Sequence, residues 1–284
     1  MTYRTTGTIA APRRRIRAAA VLIALIAVSC GSDDSTAEPA ATQTPDAAGA
    51  AGEAGGSVVF AAEQWPECIN PVTSCANASW LTWSVIHHVL PKLMEVDDEG
   101  NYRASPVLDE APALDNGLVT EDPFTVTFPI AAEAVWSDGT PITAEDVRFT
   151  WRAIMDSTGT LSTTGYDLIT DIDTSDPSRA VVSFSDTYAP WSDLFGGGTG
   201  FLLKADEFAS TDTADEMLDA IGFSGAPWVL ESWNDEEAVL VRNDAYWDAD
   251  RLPILDQVTF VPREDTDTEI IALQTGEVSA IFPQ

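Results

Sequence analysis

Between Val58 and Phe282, short alternating apolar–polar runs are interleaved with runs of helical spacing, and this interleaving constrains the fold more than any single motif. "PFTVTFPI" (123–130) sets Phe124, Val126, Phe128 and Ile130 on one face and Thr125 and Thr127 on the other, the pattern of a half-buried strand. "SWLTWSVIHHVLPKLMEV" (79–96) repeats apolar residues at Trp83, Ile86, Val89/Leu90 and Leu93, which predicts a helix that Pro91 ends or kinks. "DIDTSDPSRAVVSFSD" (171–186) reads as two strands joined by a Ser-Asp-Pro-Ser turn. "WVLESWNDEEAVLVRND" (228–244) reads as a hairpin across Asn234-Asp235, with Val239 and Val241 pointing inward. Further strands are expected at Val58–Phe60 and "QVTFVPRED" (257–265), and a helix over "DTEIIALQ" (267–274), stopped by Gly276 and followed by a strand. Strands and helices so mixed, with several hairpins, predict an α/β fold and neither a bundle nor a closed barrel.

The N-terminus has a different character. Residues 1–29 contain Arg4, Arg13, Arg14, Arg15 and Arg17 and no acid, then an apolar run from Ala18 to Val28 and Ser29-Cys30-Gly31. A basic segment, a short apolar segment and small residues before the cut read as a secretory signal over 1–29, too short to span a bilayer at the ~20 residues needed. The close is similar to the lipobox of bacterial lipoproteins, with Ala27 where Leu is usual; that resemblance makes Cys30 the lipidated first residue of the mature chain. Residues 30–57, poor in large apolar side chains, are expected to be a disordered tether.

Loss of residues 1–29 leaves 9 basic against 46 acidic side chains, a formal charge of −37. Such a surface repels nucleic acid, whose phosphates require Lys and Arg, so no nucleic-acid partner is expected. Cys68 and Cys75 lie in "WPECINPVTSCANASW" (65–80). Their C-x6-C spacing fits no zinc pattern, and in an exported chain a disulfide closing a small loop is expected, free thiols being the alternative.

The segment "VWSDGTPITAEDVRF" (135–149) is the most tempting place for acid chemistry. Yet Ser137-Asp138-Gly139 is a turn signal, Thr143 and Asp146 have the spacing of a capping box, and Ile142 and Val147 that of a hydrophobic staple. Glu145 and Asp146 suit the first helical turn, and Val147, Trp151 and Ile154 share one helical face. No D-x-D-x-D-G loop is present, so no metal site is expected from these acids. His87 and His88 are adjacent and point about 100° apart on a helix, so they do not form a ligand pair. No G-x-S-x-G occurs, and "GGGTG" followed by Lys204 is not a phosphate loop. Nothing singles out a glycosidase-type carboxylate pair. No catalytic residue and no cofactor are expected. Of nine tryptophans, Trp65, Trp191, Trp228 and Trp233 stand at element ends where a cleft could use them.

Four motifs in order carry a family resemblance. They are Trp136-Ser-Asp-Gly-Thr-Pro-Ile-Thr-Ala-Glu-Asp-Val-Arg-Phe149, a degraded G-x-G-P-Y at Ser224-Gly-Ala-Pro-Trp228, Arg242-Asn-Asp-Ala-Tyr-Trp247 followed by "LPILDQV" (252–258), and Ala272-Leu-Gln-Thr-Gly-Glu-Val-Ser279. The chain resembles the family 5 extracellular solute-binding proteins, the oligopeptide, dipeptide and nickel receptors of ABC importers. The resemblance implies a periplasmic-binding-protein-like fold (type II, cluster C). It implies a first lobe over 58–100 and 220–284, incomplete, with an inserted α+β subdomain over 101–219; family members are much longer, and the second lobe is absent.

It further implies a monomeric, lipid-anchored receptor on the outer face of the cytoplasmic membrane. Such a receptor closes two lobes over a peptide or other small solute and delivers it to a membrane permease, without covalent chemistry. The expected ligand contacts are Glu63, Gln64, Trp65, Trp228, Phe282 and Gln284. The alternatives are a secreted hydrolase using buried carboxylates and a lipoprotein module that transports nothing.

Overall fold

The computed structural model describes residues 54–76, 80–197, 200–263 and 265–283. The signal, Cys30 and Gln284 lie outside the described residues, as does the tether over 30–53.

In chain order the elements are β1 (Ser57–Ala62), α1 (Trp80–Val89), β2 (Met94–Val96), β3 (Tyr102–Ala104), β4 (Val119–Glu121), β5 (Phe124–Pro129), α2 (Ala144–Asp156), β6 (Ile169–Asp173), β7 (Arg179–Phe184), β8 (Trp228–Trp233), β9 (Ala238–Arg242), β10 (Gln257–Pro262), α3 (Thr266–Thr275) and β11 (Ala280–Ile281). One mixed sheet has the order β11-β1-β10-β9-β8, and a second, antiparallel sheet has the order β4-β5-β7-β6. β2 and β3 pair as a separate hairpin.

The first sheet is parallel across β10-β1-β11 and antiparallel across β10-β9-β8. Strands running parallel need a crossover connection, and α3 supplies the one that carries the chain from β10 past β1 to β11. Gly276 ends α3 in the left-handed region at φ 76°, where a side chain would be strained, and its N–H closes back on Ala272 and Leu273. The strands of this sheet come from both ends of the described chain, whereas β4 to β7 come from one continuous run. A single hydrophobic cluster, with Phe128, Trp136, Phe195, Leu202 and Leu240 among its members, extends under both sheets.

Each predicted strand and helix forms, with three adjustments. The first helix ends at Val89, short of its apolar pattern, because Pro91 lacks the N–H needed to continue. Leu90 and Leu93 are buried instead in the turn and at the approach to β2. In β9 it is Ala238 and Leu240 that are most deeply buried; Val239 is covered on the other face and Val241 only half-buried. On α3 the apolar residues Ile270, Ile271 and Leu273 are 39, 58 and 41% exposed, while Ala272 and Glu269 face inward.

Candidate functional site

Register decides which side chains share an end of the five-stranded sheet. Ala62 pairs with Pro262, Phe260 with Ala238, and Ala238 with Trp233. The carboxyl ends of β1 and β10 therefore meet the start of β9 and the end of β8. In open α/β sheets the carboxyl ends of the strands are where ligands bind.

A cluster is built there. Trp65 stacks on Trp233 with centroids 5.0 Å apart and planes at 14°, and its Nε1–H donates to the Asn234 carbonyl at 3.1 Å. Gln64 Oε1 accepts the Trp80 N–H at 2.8 Å, satisfying one of the orphan donors at the start of α1. Trp80 stacks in turn on Phe282 (4.8 Å, 13°) and meets Phe60 and Phe260. The Glu63 carboxylate accepts the Thr266 hydroxyl at 2.5 Å. Arg263 extends the β1 ladder by donating its N–H to the Ala62 carbonyl at 2.8 Å, and its guanidinium pairs with Glu277 and the Pro262 carbonyl. Glu269, in the first turn of α3, is fully buried, and neither of its oxygens has a hydrogen-bond partner among the described residues. Burial and the neighbouring Glu63 charge push its pKa up, and the Phe282 N–H, directed at the carboxyl without reaching full hydrogen-bond geometry, pulls it down.

Thus Glu63, Gln64, Trp65 and Phe282 come together, and Trp228 does not join them. Trp228 pairs with Arg242 at the opposite end of the sheet, 9% exposed, beside an apolar cavity of about 350 Å³ that Phe60, Trp80 and Phe260 of the cluster also line. Its Pro-Trp context marks a strand start but not which end of the sheet that start occupies. Sequence reasoning gave no site role to Trp80 or Thr266, and placed Trp233 only among the tryptophans at element ends. Their role depends on hairpin register and on the β1–β10 pairing, neither of which a local pattern contains.

The acids of 138–146 are structural. Asp146 Oδ2 accepts the Thr143 N–H at 2.8 Å, the reciprocal arm of a capping box, and the Trp136 Nε1–H at 3.3 Å. Its Oδ1 accepts the Ala205 N–H at 2.8 Å. Asp138 accepts the Thr140 N–H (2.9 Å) and the Lys204 ammonium (2.7 Å), which holds its carboxyl well below the usual carboxylate range. Lys204 is itself buried, held by Asp138, Asp206 and Glu207. Glu145 pairs with Arg148 and accepts from Thr174. Each acid fixes a turn or a helix start.

The expected disulfide between Cys68 and Cys75 is present and closes the loop that follows Trp65. A larger hollow of about 540 Å³ is lined by His87, His88, Lys92, Glu95, Arg103 and Arg251, among others. Its cations are engaged. Lys92 donates to the Gly197 carbonyl at 2.6 Å and lies 4.2 Å over Phe201, and burial lowers its pKa to about 8. Arg103 and Arg251 both hold Glu95. Burial and the Lys92 charge lower the His87 pKa to about 4. Asp97, Asp98 and Glu99 come close together in the exposed β2–β3 turn, where Asp97 Oδ1 accepts the N–H groups of Glu99 and Asn101.

With a mixed sheet whose carboxyl edge gathers aromatic and acidic groups, the architecture is that of a periplasmic-type binding protein. The model of the bacterial extracellular solute-binding proteins, family 5 Middle, matches residues 108–284, and the chain belongs to that family. Oligopeptide-binding protein OppA of Mycobacterium tuberculosis (strain ATCC 25618 / H37Rv) is 34% identical over 170 residues, 57% of this chain and 28% of that protein. The nickel-binding periplasmic protein of Escherichia coli (strain K12) is 25% identical over 166 residues, 57% of this chain and 31% of that one. Among solved structures, the periplasmic EDTA-binding protein EppA gives a TM-score of 0.72 at 25% identity, over 81% of this chain and 44% of that chain. Listeria monocytogenes OppA bound to peptide gives 0.66 at 20% identity, over 78% and 45%, a likeness of fold alone. The chain therefore spans less than half the length of these relatives, consistent with a partial lobe.

Proposed function

We propose that the chain is the first-lobe part of a receptor that captures oligopeptides outside the membrane and hands them to an ABC permease. The observation that carries this reading is the meeting of Glu63, Gln64, Trp65 and Phe282 at the carboxyl edge of β1 and β11. Backbone following an edge of this kind pairs with an extended peptide, and the indoles add stacking area. The 34% identity to an oligopeptide-binding protein supports peptide over other solutes. Cys30 carries the lipid and residues 30–53 the tether, since Gly55 and Gly56 bond to Ile254 and Asp256 and Ser57 opens β1, while residues 101–219 form the subdomain inserted into the lobe. The receptor works as a monomer and needs no cofactor.

Two measurements test this. Calorimetry against peptide, sugar and metal-chelate panels should give peptide binding, weak in this chain because a second lobe supplies the remaining contacts. Micromolar or tighter binding contradicts the half-site view, and turnover of any panel member contradicts the receptor view. Labelling with radioactive palmitate in cells should mark the wild type and not Cys30→Ala.

A further inference from the structure

Buried charge is satisfied elsewhere among the described residues. Asp146 receives three N–H groups of Thr143, Trp136 and Ala205, and Lys204 is surrounded by three carboxylates. Glu269 breaks that rule: its exposure is 0%, and both oxygens are without a hydrogen-bond partner among the described residues. Buried carboxylates ordinarily find partners, and one left without is either protonated or waiting for a donor from outside.

We infer that Glu269 and Glu63 form a subsite of the candidate cleft that takes a positively charged nitrogen group of the solute, an alkylammonium or guanidinium. This rests on reading the chain as a peptide receptor. Three observations carry it. Glu63 acts on Glu269 electrostatically, so two acids share one corner, and only Glu63 has the Thr266 hydroxyl as a described donor there. Arg263, which leads into α3, is committed to Glu277 and the Pro262 carbonyl and offers nothing to Glu269. Finally, the Phe282 N–H is directed at the Glu269 carboxyl, and the Phe282 ring beside it is 45% exposed.

The chemistry fits a side chain with an apolar stem and a cationic head. The stem lies along Phe282 and Trp80, and the head donates to the buried Glu269 and the half-buried Glu63, where charge-assisted hydrogen bonds are strong. A neutral side chain leaves Glu269 unpaired and gains only the stem contact. The acidic field of the whole chain draws cations toward the site.

The test is calorimetry of the full chain with penta-alanine derivatives carrying lysine or norleucine at each position in turn, using wild type, Glu269→Gln and Glu63→Gln. At one position lysine should bind wild type about tenfold more tightly than norleucine, and the ratio should fall to near one in Glu269→Gln. Glu63→Gln, which leaves Glu269 in place, should reduce the ratio without abolishing it. Peptide binding with no lysine preference, or a preference that survives Glu269→Gln, overturns the subsite and leaves the peptide reading intact. Binding of neither series overturns the peptide reading. The subsite then stands only if n-butylammonium chloride raises the melting temperature of wild type and not of Glu269→Gln, and falls otherwise.

Discussion

Trp80 and Phe282 stack face to face at 4.8 Å, joining the first turn of α1 to the segment that leaves β11. The two residues come from opposite ends of the described chain, and the contact holds the rim of the candidate cleft together. Phe282→Ala should therefore weaken peptide binding, by about 0.5–1.5 kcal/mol if the lost stack is the main term. Trp228→Phe, at the far end of the sheet but lining one hollow with Trp80, should lower stability and change affinity less than Phe282→Ala does. Calorimetry and urea melts on both variants separate the two roles.

Asp146 should be the acid whose loss costs most. Replacing it by Asn removes the charge that receives the N–H groups of Thr143 and Ala205, both at 2.8 Å, and sets an amide N–H₂ against one of them. We expect Asp146→Asn to destabilise by about 2–3 kcal/mol, read as a lower urea midpoint at unchanged slope.

Lys204 holds together acids from two distant segments. Lys204→Met leaves Asp138, Asp206 and Glu207 facing one another around a buried methyl group. Because the three carboxylates are solvent-exposed, screening brings the expected cost to about 1–3 kcal/mol, below that of a fully buried pair. The loss should shrink as salt concentration rises.

The Cys68–Cys75 bridge closes a short loop behind Trp65. The double Cys68→Ser, Cys75→Ser variant should lose about 2–3 kcal/mol, the loop-closure value for a ring of this size. A dithiothreitol titration of wild type should approach the same stability.

Glu269 predicts a pH dependence with a definite sign. Its folded pKa is raised above the ordinary 4.5, so between those two values the folded chain binds more protons than the unfolded one. Stability contributed by the protonated form is present below about pH 4.5 and is lost as pH rises through the folded pKa. Glu269→Gln removes that loss. Its urea midpoint should exceed that of wild type at pH 7.5, and the difference should vanish at pH 4.

Local chemistry made most of this fold legible. The cap at Thr143 and Asp146, the Gly276 stop, the strand alternation at Phe124 to Ile130 and the disulfide all depend on residues close in sequence. The candidate site is legible only in its local parts. Glu63, Gln64, Trp65 and Phe282 follow strands, and a strand's exit can be read from its own residues. The end of the sheet that Trp228 occupies is not legible locally, because sheet ends are assigned by pairing and the β8–β9–β10–β1 register is set by contacts far apart in the chain. Glu269 was invisible for a related reason: in "DTEIIALQ" its neighbours Ile270 and Ile271 look like the inward residues, yet both face solvent.

The β1–β10 ladder also sets a timetable. Gly56 and Asp256, bonded across its foot, are 200 residues apart. At about 5–20 residues per second, a ribosome needs roughly 10–40 s to deliver the partner after the first strand has emerged. Throughout that interval an apolar ribbon has no mate, while the hairpins over 119–184 can already fold from nearby contacts. A nascent molecule of this kind must be guarded at its beginning, and the guard cannot let go until nearly the whole described sequence has been made.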